Sequence, residues 1–228
     1  LNPPRAAGGG PGRYACWLAG LGYEAHLVDP VEKHVEHARE ASCAQPKHPL
    51  ARVTLGDARS LDQADGSADA VLLMGPLYHL TDRDDRLAAL REAYRVLKPG
   101  GVVIAKAINR FASLLSALSR GHIDDPAFAP ILRRDLADGQ HRGLPDDFGY
   151  FTTSFFHRPE ELEAEVREAG FDQPDLYAVQ GPGLAASDVD ERMSDAVKRA
   201  RLLDWIRCVE QEPTLLGMSK HFVVVATK

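Results

Sequence analysis

The sequence predicts an α/β chain built on a Rossmann-like, mostly parallel, doubly wound sheet, and three observations carry that prediction. A glycine stretch, Gly8-Gly9-Gly10-Pro11-Gly12, opens directly onto a helix-like run. Short apolar strand-like runs then alternate with helix-length segments, the pattern of parallel strands joined by crossover helices. Acidic residues stand at the ends of two of those strands, Asp29 and Asp57. In open sheets of this kind ligands bind outside the carboxyl ends of the strands, so the glycines, Asp29, Asp57 and Gly75 are expected to meet at one edge.

Each element has its own signal. Before the glycines stand Leu1-Asn2-Pro3-Pro4-Arg5-Ala6-Ala7, poor material for a central strand, because proline cannot donate to a ladder and alanine packs little. The chain does not open on Met, and the expectation is a fragment or processed product whose entry strand is missing. Tyr14, Trp17, Leu18 and Leu21 recur at helical spacing before Gly22, and Tyr23 to Val28 reads as a strand. Pro30 suits the first position of a helix capped by Asp29, with Val31, Val35 and Ala38 on its inner face.

Arg52 to Leu55 and Ala68 to Met74 read as the next strands, the latter apolar enough to be buried on both faces. Thr81 and Asp84 resemble a capping box for a helix whose buried stripe is Leu87, Leu90, Tyr94 and Leu97. Pro99-Gly100-Gly101 ends it before a strand from Val102 to Ile108. The alternation lapses over residues 109–150, where Phe111, Leu114, Leu115 and Leu118 suggest one short helix and Pro126 to Ala137 another. A connection this long is expected to be a helical lid insertion.

Beyond it, Arg158 to Gly170 reads as a helix and Asp175 to Val179 as a strand. A long helix or helix pair comes next, from Asp188 to Glu210, with Met193, Val197, Ala200, Leu203 and Ile206 inward, and Lys220 to Thr227 closes as a strand. The organisation expected is one domain over 1–228, with insertions at 109–150 and 184–212.

A net charge of -6 over 228 residues argues against nucleic acid, whose binders usually carry a basic stripe. No apolar run is long enough to span a membrane. Cys16, Cys43 and Cys208 lack metal-ligand spacing and cannot all pair, so they read as reduced thiols of a cytoplasmic protein, with Cys16 in the core. His34 and His37 stand three apart on one helix, but no third ligand is evident and a solvated face is expected; no metal site is assigned.

The glycine loop alone leaves two cofactor classes open, because Gly10-Pro11-Gly12-Arg13-Tyr14-Ala15 also fits the G-x-G-x-x-A form of a dinucleotide fingerprint. An ordered series of later blocks separates them: Gly56-Asp57-Ala58-Arg59-Ser60-Leu61, then Gly75-Pro76-Leu77-Tyr78-His79-Leu80, then Leu97-Lys98-Pro99-Gly100-Gly101. With the glycine loop and Asp29, this series resembles the class I S-adenosylmethionine-dependent methyltransferases, over about the first half of the chain. The resemblance departs at Ala6, where the family carries an acidic residue two places before the first glycine.

The resemblance implies S-adenosylmethionine as cofactor and a small-molecule methyl acceptor, with the last two strands forming an antiparallel edge hairpin. It implies that Gly8, Gly10 and Gly12 line the methionine portion, Asp29 with Pro30 takes the ribose, Asp57 with Ala58 takes the adenine, and Gly75 lies near the transferred methyl. As plain structure, Asp29 could instead cap its helix and Asp57 form a turn. A catalytic residue is not assigned. His79, His122, His141 and His157 are open as bases, although a structural role fits His79 better, and Phe151, Phe155 and Phe156 read first as strand core. A nicotinamide-dependent oxidoreductase and a cofactor-binding protein without turnover are the other readings. The acceptor atom and the oligomeric state are left open.

Overall fold

The computed structural model describes residues 4–7, 9–143 and 151–228. In chain order the elements are β1 (Pro4–Ala7), α1 (Arg13–Gly20), β2 (His26–Asp29), α2 (Glu32–Cys43), β3 (Arg52–Leu55), β4 (Ala68–Leu73), α3 (Pro76–His79), α4 (Arg83–Val96) and β5 (Leu97–Asn109). After these come α5 (Ala112–Arg120), α6 (Ala129–Asp138), β6 (Gln140–His141), β7 (Ser154–His157), α7 (Pro159–Glu168), β8 (Asp172–Ala178), α8 (Val189–Ser194), α9 (Ala196–Arg207), α10 (Pro213–Leu216) and β9 (His221–Thr227). The chain divides into two compact units: residues 1–106, 163–174 and 224–228 make the first, and 107–162 with 175–223 the second.

The first unit is a parallel ladder. β1 pairs with β2 on one side and β4 on the other, β3 lies outside β2, and β5 lies beside β4. The expectation of a missing entry strand is therefore corrected: Ala6 pairs with both Leu27 and Leu72, so Pro4–Ala7 is the central strand. Proline is tolerated because Pro4 holds the first strand position, where the lost N–H breaks no interior rung. α1, α2 and the sheet share one core of Ala15, Leu18, Ala19, Leu27, Ala38 and Leu72, with Cys16 half-buried against it.

That core corrects the stripe expected on α1. Tyr14 is 41% exposed and Trp17 and Leu21 each 59%, while Ala15, Leu18 and Ala19 face inward. The physical reason is close packing of α1 on α2. Gly12 caps α1 at φ +93, and a Cβ there would stand 3.1 Å from the Ala38 Cβ, so only small side chains fit that side.

On α4 the expected stripe holds at Leu87 and Leu90, joined by buried Arg86. The cap is one residue later than expected, with Asp82 accepting the Asp84 N–H at 2.8 Å. Leu97 is the first residue of β5 rather than the end of the helix, yet it is fully buried. Within this unit Arg86 and Glu165 form a buried bidentate pair at 2.7 and 3.0 Å, and the same guanidinium donates to the Leu80 and Thr81 carbonyls at 3.1 Å each. No sequence pattern announced it.

In the second unit, the end of β5 pairs parallel with β7, and β6 pairs antiparallel with β7. β9 pairs with β8 and β5. β9 runs antiparallel to β5, because Lys228 bonds to Gly100 and Gly101 at one end while Lys220 accepts from Asn109 at the other. The described part of the expected lid folds as α5, α6 and β6; its residues 144–150 lie outside the described residues.

The short helix suggested by Phe111, Leu114, Leu115 and Leu118 forms as α5; its buried residues are Ala112, Ser113 and Ala117, and Leu118 is 61% exposed. The helix pair predicted over 188–210 is two helices, divided where Asp195 caps α9 by accepting from Val197 and Lys198 N–H groups at 2.8 Å. Its expected inward face is corrected. No residue of α9 is buried and Val197 is 61% and Met193 44% exposed; of the expected residues Ile206 does pack inward, with Leu202, against the turn at Gly183. Trp205 is 74% exposed. Among the described residues no helix is long and apolar enough to cross a membrane.

Candidate functional site

The first unit carries a cavity of about 710 Å3, walled by the segments that leave the ends of β1, β2, β3 and β4. Parallel strands of a ladder end on the same edge, which is why loops far apart in sequence share one space. The glycine loop is bent tightly, with Gly12 N–H bonded to the Gly9 carbonyl at 3.1 Å. Gly9 lies over β2, where a Cβ would come within 2.7 Å of the Leu27 side chain.

Asp29, only 5% exposed, ends β2 and holds this loop to the sheet. One carboxylate oxygen accepts the Gly10 N–H at 2.8 Å; the other accepts the Val31 N–H at 3.0 Å and contacts His34 Nδ1 at 3.0 Å. A carboxylate offers about four lone-pair sites, so these three donors leave room for one more. Helix α2 starts at Glu32 with Val31 at its cap, so Pro30 lies before the helix rather than in it, at the cavity wall.

Asp57 closes the turn after β3. It accepts the Arg59 N–H at 2.8 Å and the Arg59 guanidinium at 2.6 and 3.0 Å, and Arg59 also reaches Asp85 at 2.9 Å. The hydrogen bond from Arg59 holds the Asp57 carboxyl below the usual carboxylate range, and the two acids push Arg59 up. After β4, Gly75 precedes the short helix α3, which sets Tyr78 and His79 at the cavity. The Tyr78 hydroxyl donates to the Met74 carbonyl at 2.9 Å, and its ring lies 4.6 Å from that of His79. Burial pushes the His79 imidazole down from its ordinary value; the charge of Asp29 pulls the other way and His34 adds to the lowering.

The structure thus brings Gly10, Asp29, Pro30, Asp57, Ala58 and Gly75 to one cavity. Gly12 is not among its lining residues and serves the α1–α2 contact instead; Gly8 lies outside the described residues. His34 lines the cavity while His37 is exposed, and among the described residues no cluster suited to a metal is found. Sequence reasoning passed over Arg13, Tyr14 and Met74 as lining residues. For Arg13 and Tyr14 the signal was available, since the first turn of a helix after a glycine loop faces whatever the loop holds.

Of the other histidines considered, His122, His141 and His157 belong to the second unit. His157 is buried in β7. Phe155 and Phe156 are buried strand residues as expected, while Phe151 is 47% exposed.

The arrangement is an α/β domain with a cavity at the carboxyl ends of its parallel strands. Residues 6–105 match the family described as a methyltransferase domain. The chain is 35% identical over 127 residues to the chloroplastic 2-phytyl-1,4-beta-naphthoquinone methyltransferase of Arabidopsis thaliana, which covers 55% of this chain and 45% of that protein. It is 31% identical over 129 residues to the ubiquinone/menaquinone biosynthesis C-methyltransferase UbiE of Neisseria gonorrhoeae, covering 55% of this chain and 48% of that one. The chain spans about half the length of the curated relatives it matches. Among solved structures, a SAM-dependent methyltransferase of Methanosarcina mazei superposes with a TM-score of 0.64 at 20% identity, over 100% of this chain and 92% of that one. The fold is shared with that SAM-dependent methyltransferase, and the match to the methyltransferase-domain family spans residues 6–105.

Proposed function

We propose that this protein transfers a methyl group from S-adenosylmethionine to a small-molecule acceptor, with the cofactor in the cavity of the first unit. The observation that carries this reading is the convergence of Gly10, Asp29, Asp57 and Gly75 on one space of about 710 Å3, large enough for a nucleoside cofactor. The residues present fit the group. Asp29 keeps an acceptor site for a ribose hydroxyl, and Asp57, held ionised by Arg59, accepts from the exocyclic amine of adenine beside Ala58. Arg13 lines the cavity without an ion pair among the described residues and suits the methionine carboxylate. Gly10, Pro30 and Gly75 supply wall without bulk.

When bound, the cofactor supplies an activated methyl whose sulfur departs neutral. The chain's own contribution is then chiefly positioning, which in well-oriented systems is worth about 7 to 11 kcal/mol. Tyr78 is fixed by its bond to Met74 and shapes the wall. His79, kept neutral by burial, can accept a proton from an acceptor that carries one. One curated relative is named for a naphthoquinone and another for ubiquinone and menaquinone biosynthesis, and an apolar ring compound is the acceptor class these names favour. The free cysteines fit a reducing compartment such as the cytoplasm.

The lid reading of 109–150 and the insertion at 184–212 belong to this proposal. Amide exchange over residues 112–138 should slow when the cofactor is added. Titration calorimetry tests the core of the reading: heat with S-adenosylmethionine and none with NADH supports it, and the reverse sinks it.

A further inference from the structure

The second unit encloses a cavity of its own, of about 430 Å3. Its floor is apolar. Ile108 at the end of β5, Ala117 on α5, Phe128 before α6 and Phe156 on β7 supply it, and Phe128 and Phe156 are 7% and 3% exposed. One wall is fixed by polar bonds: the His141 ring stacks on Phe156 at 4.8 Å, with Nδ1 2.8 Å from Asp135 and Nε2 3.0 Å from the Phe151 carbonyl.

The Ser113 hydroxyl donates to the same Asp135 oxygen at 2.5 Å. Serine, aspartate and histidine therefore meet here, but not as a nucleophile relay, because the serine addresses the carboxylate and both imidazole nitrogens are engaged. The cluster positions the wall.

The rim is cationic. Arg120 and Lys220 line it, together with His122 and His221, and among the described residues no carboxylate does, in a chain whose net charge is -6. Arg120 has no ion pair among the described residues, and the Lys220 ammonium reaches only the Ser119 hydroxyl, at 3.4 Å. Burial pushes the Lys220 ammonium down, and the charge of Arg120 adds to it. Like charges are held together over an apolar floor, and a low-dielectric wall strengthens their joint attraction for an anion. We propose that this cavity binds an amphipathic organic acid, its carboxylate between Arg120 and Lys220 and its apolar body against Phe128 and Phe156.

The described residues that line it all belong to the second unit, so the proposal does not rest on the methyl-transfer reading and is tested without cofactor. Calorimetry on the full chain would compare 3-phenylpropanoate, 3-phenylpropan-1-ol and acetate. The expected order is clear binding of the acid, at least tenfold weaker binding of the alcohol, and no heat with acetate at matched concentration. Arg120→Gln and Lys220→Gln should each weaken the acid at least fivefold and narrow its advantage over the alcohol, with melting temperature unchanged; Lys220→Arg should retain it. Equal affinity for acid and alcohol, no binding of either, or full affinity in both glutamine variants would each overturn the proposal.

Discussion

The two cavities are built from different materials. The first is framed by the glycine loop, Asp29 and Asp57, each placed by the end of a parallel strand, with Tyr14, Tyr78 and His79 on its wall. The second is made of side chains from α5, the approach to α6, β7 and the start of β9, with phenylalanines below and cations above. In the first, geometry comes from the sheet, so few residues suffice and their identities are constrained. In the second, geometry comes from α5 and the approach to α6 packed on the ladder where Ile108 pairs with Phe156, and a buried bonded cluster, Ser113 with Asp135 and His141, does the fixing. A sheet edge can thus keep its site through many side-chain changes, while a packed cavity stands or falls with a few buried polar contacts.

The largest effect should come from the buried pair of the first unit. Glu165→Ala removes the carboxylate from a guanidinium that is 2% exposed, and breaking such a pair costs about 3 to 5 kcal/mol. Urea unfolding measures it. Because Arg86 also holds the Leu80 carbonyl and Leu80 lines the cavity, cofactor affinity should fall as well. A loss under about 1 kcal/mol would place the pair among those that contribute little.

Asp135→Ala makes the matching cut in the second unit. It leaves Ser113 and His141 without their shared acceptor, at about 1 to 3 kcal/mol for each buried group. Binding of 3-phenylpropanoate should weaken with it, while S-adenosylmethionine affinity should hold. If both affinities fall together, the two cavities are not separable.

Within the first cavity, Asp29→Ala should weaken S-adenosylmethionine more than Asp57→Ala. Asp29 anchors the loop through Gly10 and offers a charge-assisted bond worth about 1.5 to 3 kcal/mol, or roughly ten- to hundredfold in affinity. Asp57 already accepts three bonds from Arg59, so less of its capacity is left for the adenine amine and its loss should cost less. Parent-like affinity in Asp29→Ala would reduce Asp29 to a loop anchor.

The smallest effect is a change of slope with pH. His79 is held below its ordinary value of 6.5, so as pH falls the unfolded chain takes up the proton first. The associated stability is present above that value and is lost as the pH drops below it toward the folded value. His79→Gln should flatten the decline in melting temperature between about pH 7.5 and 5.5. An unchanged slope would show that burial of His79 has no bearing on acid stability.

How far the sequence could be read obeys the same division. The order of strands and helices through β5 was legible because each carries local punctuation: Gly22 after α1, Pro30 before α2, Gly56 after β3, and Pro99-Gly100-Gly101 at the entry to β5. Asp29 and Asp57 were legible because a strand end fixes where its next residue goes. Pro4–Ala7 was misread because composition stood in for context: a strand with a neighbour on each side is held by its ladder even with small residues. On α1 and α5 most of the large apolar residues stayed outside and, Leu18 apart, small residues took the buried face, since close approach favours small side chains. The Arg86–Glu165 pair joins residues 79 apart, and nothing local marks it.

The outward turn of those large residues also governs how unfolding can be watched. The chain has two tryptophans, and both indoles already face solvent, Trp17 at 59% and Trp205 at 74% exposure. Their native emission should therefore sit near that of an indole in water, with little red shift on denaturation. Fluorescence would report the melt poorly, and circular dichroism, which tracks the backbone, is the signal that will register the loss of this fold.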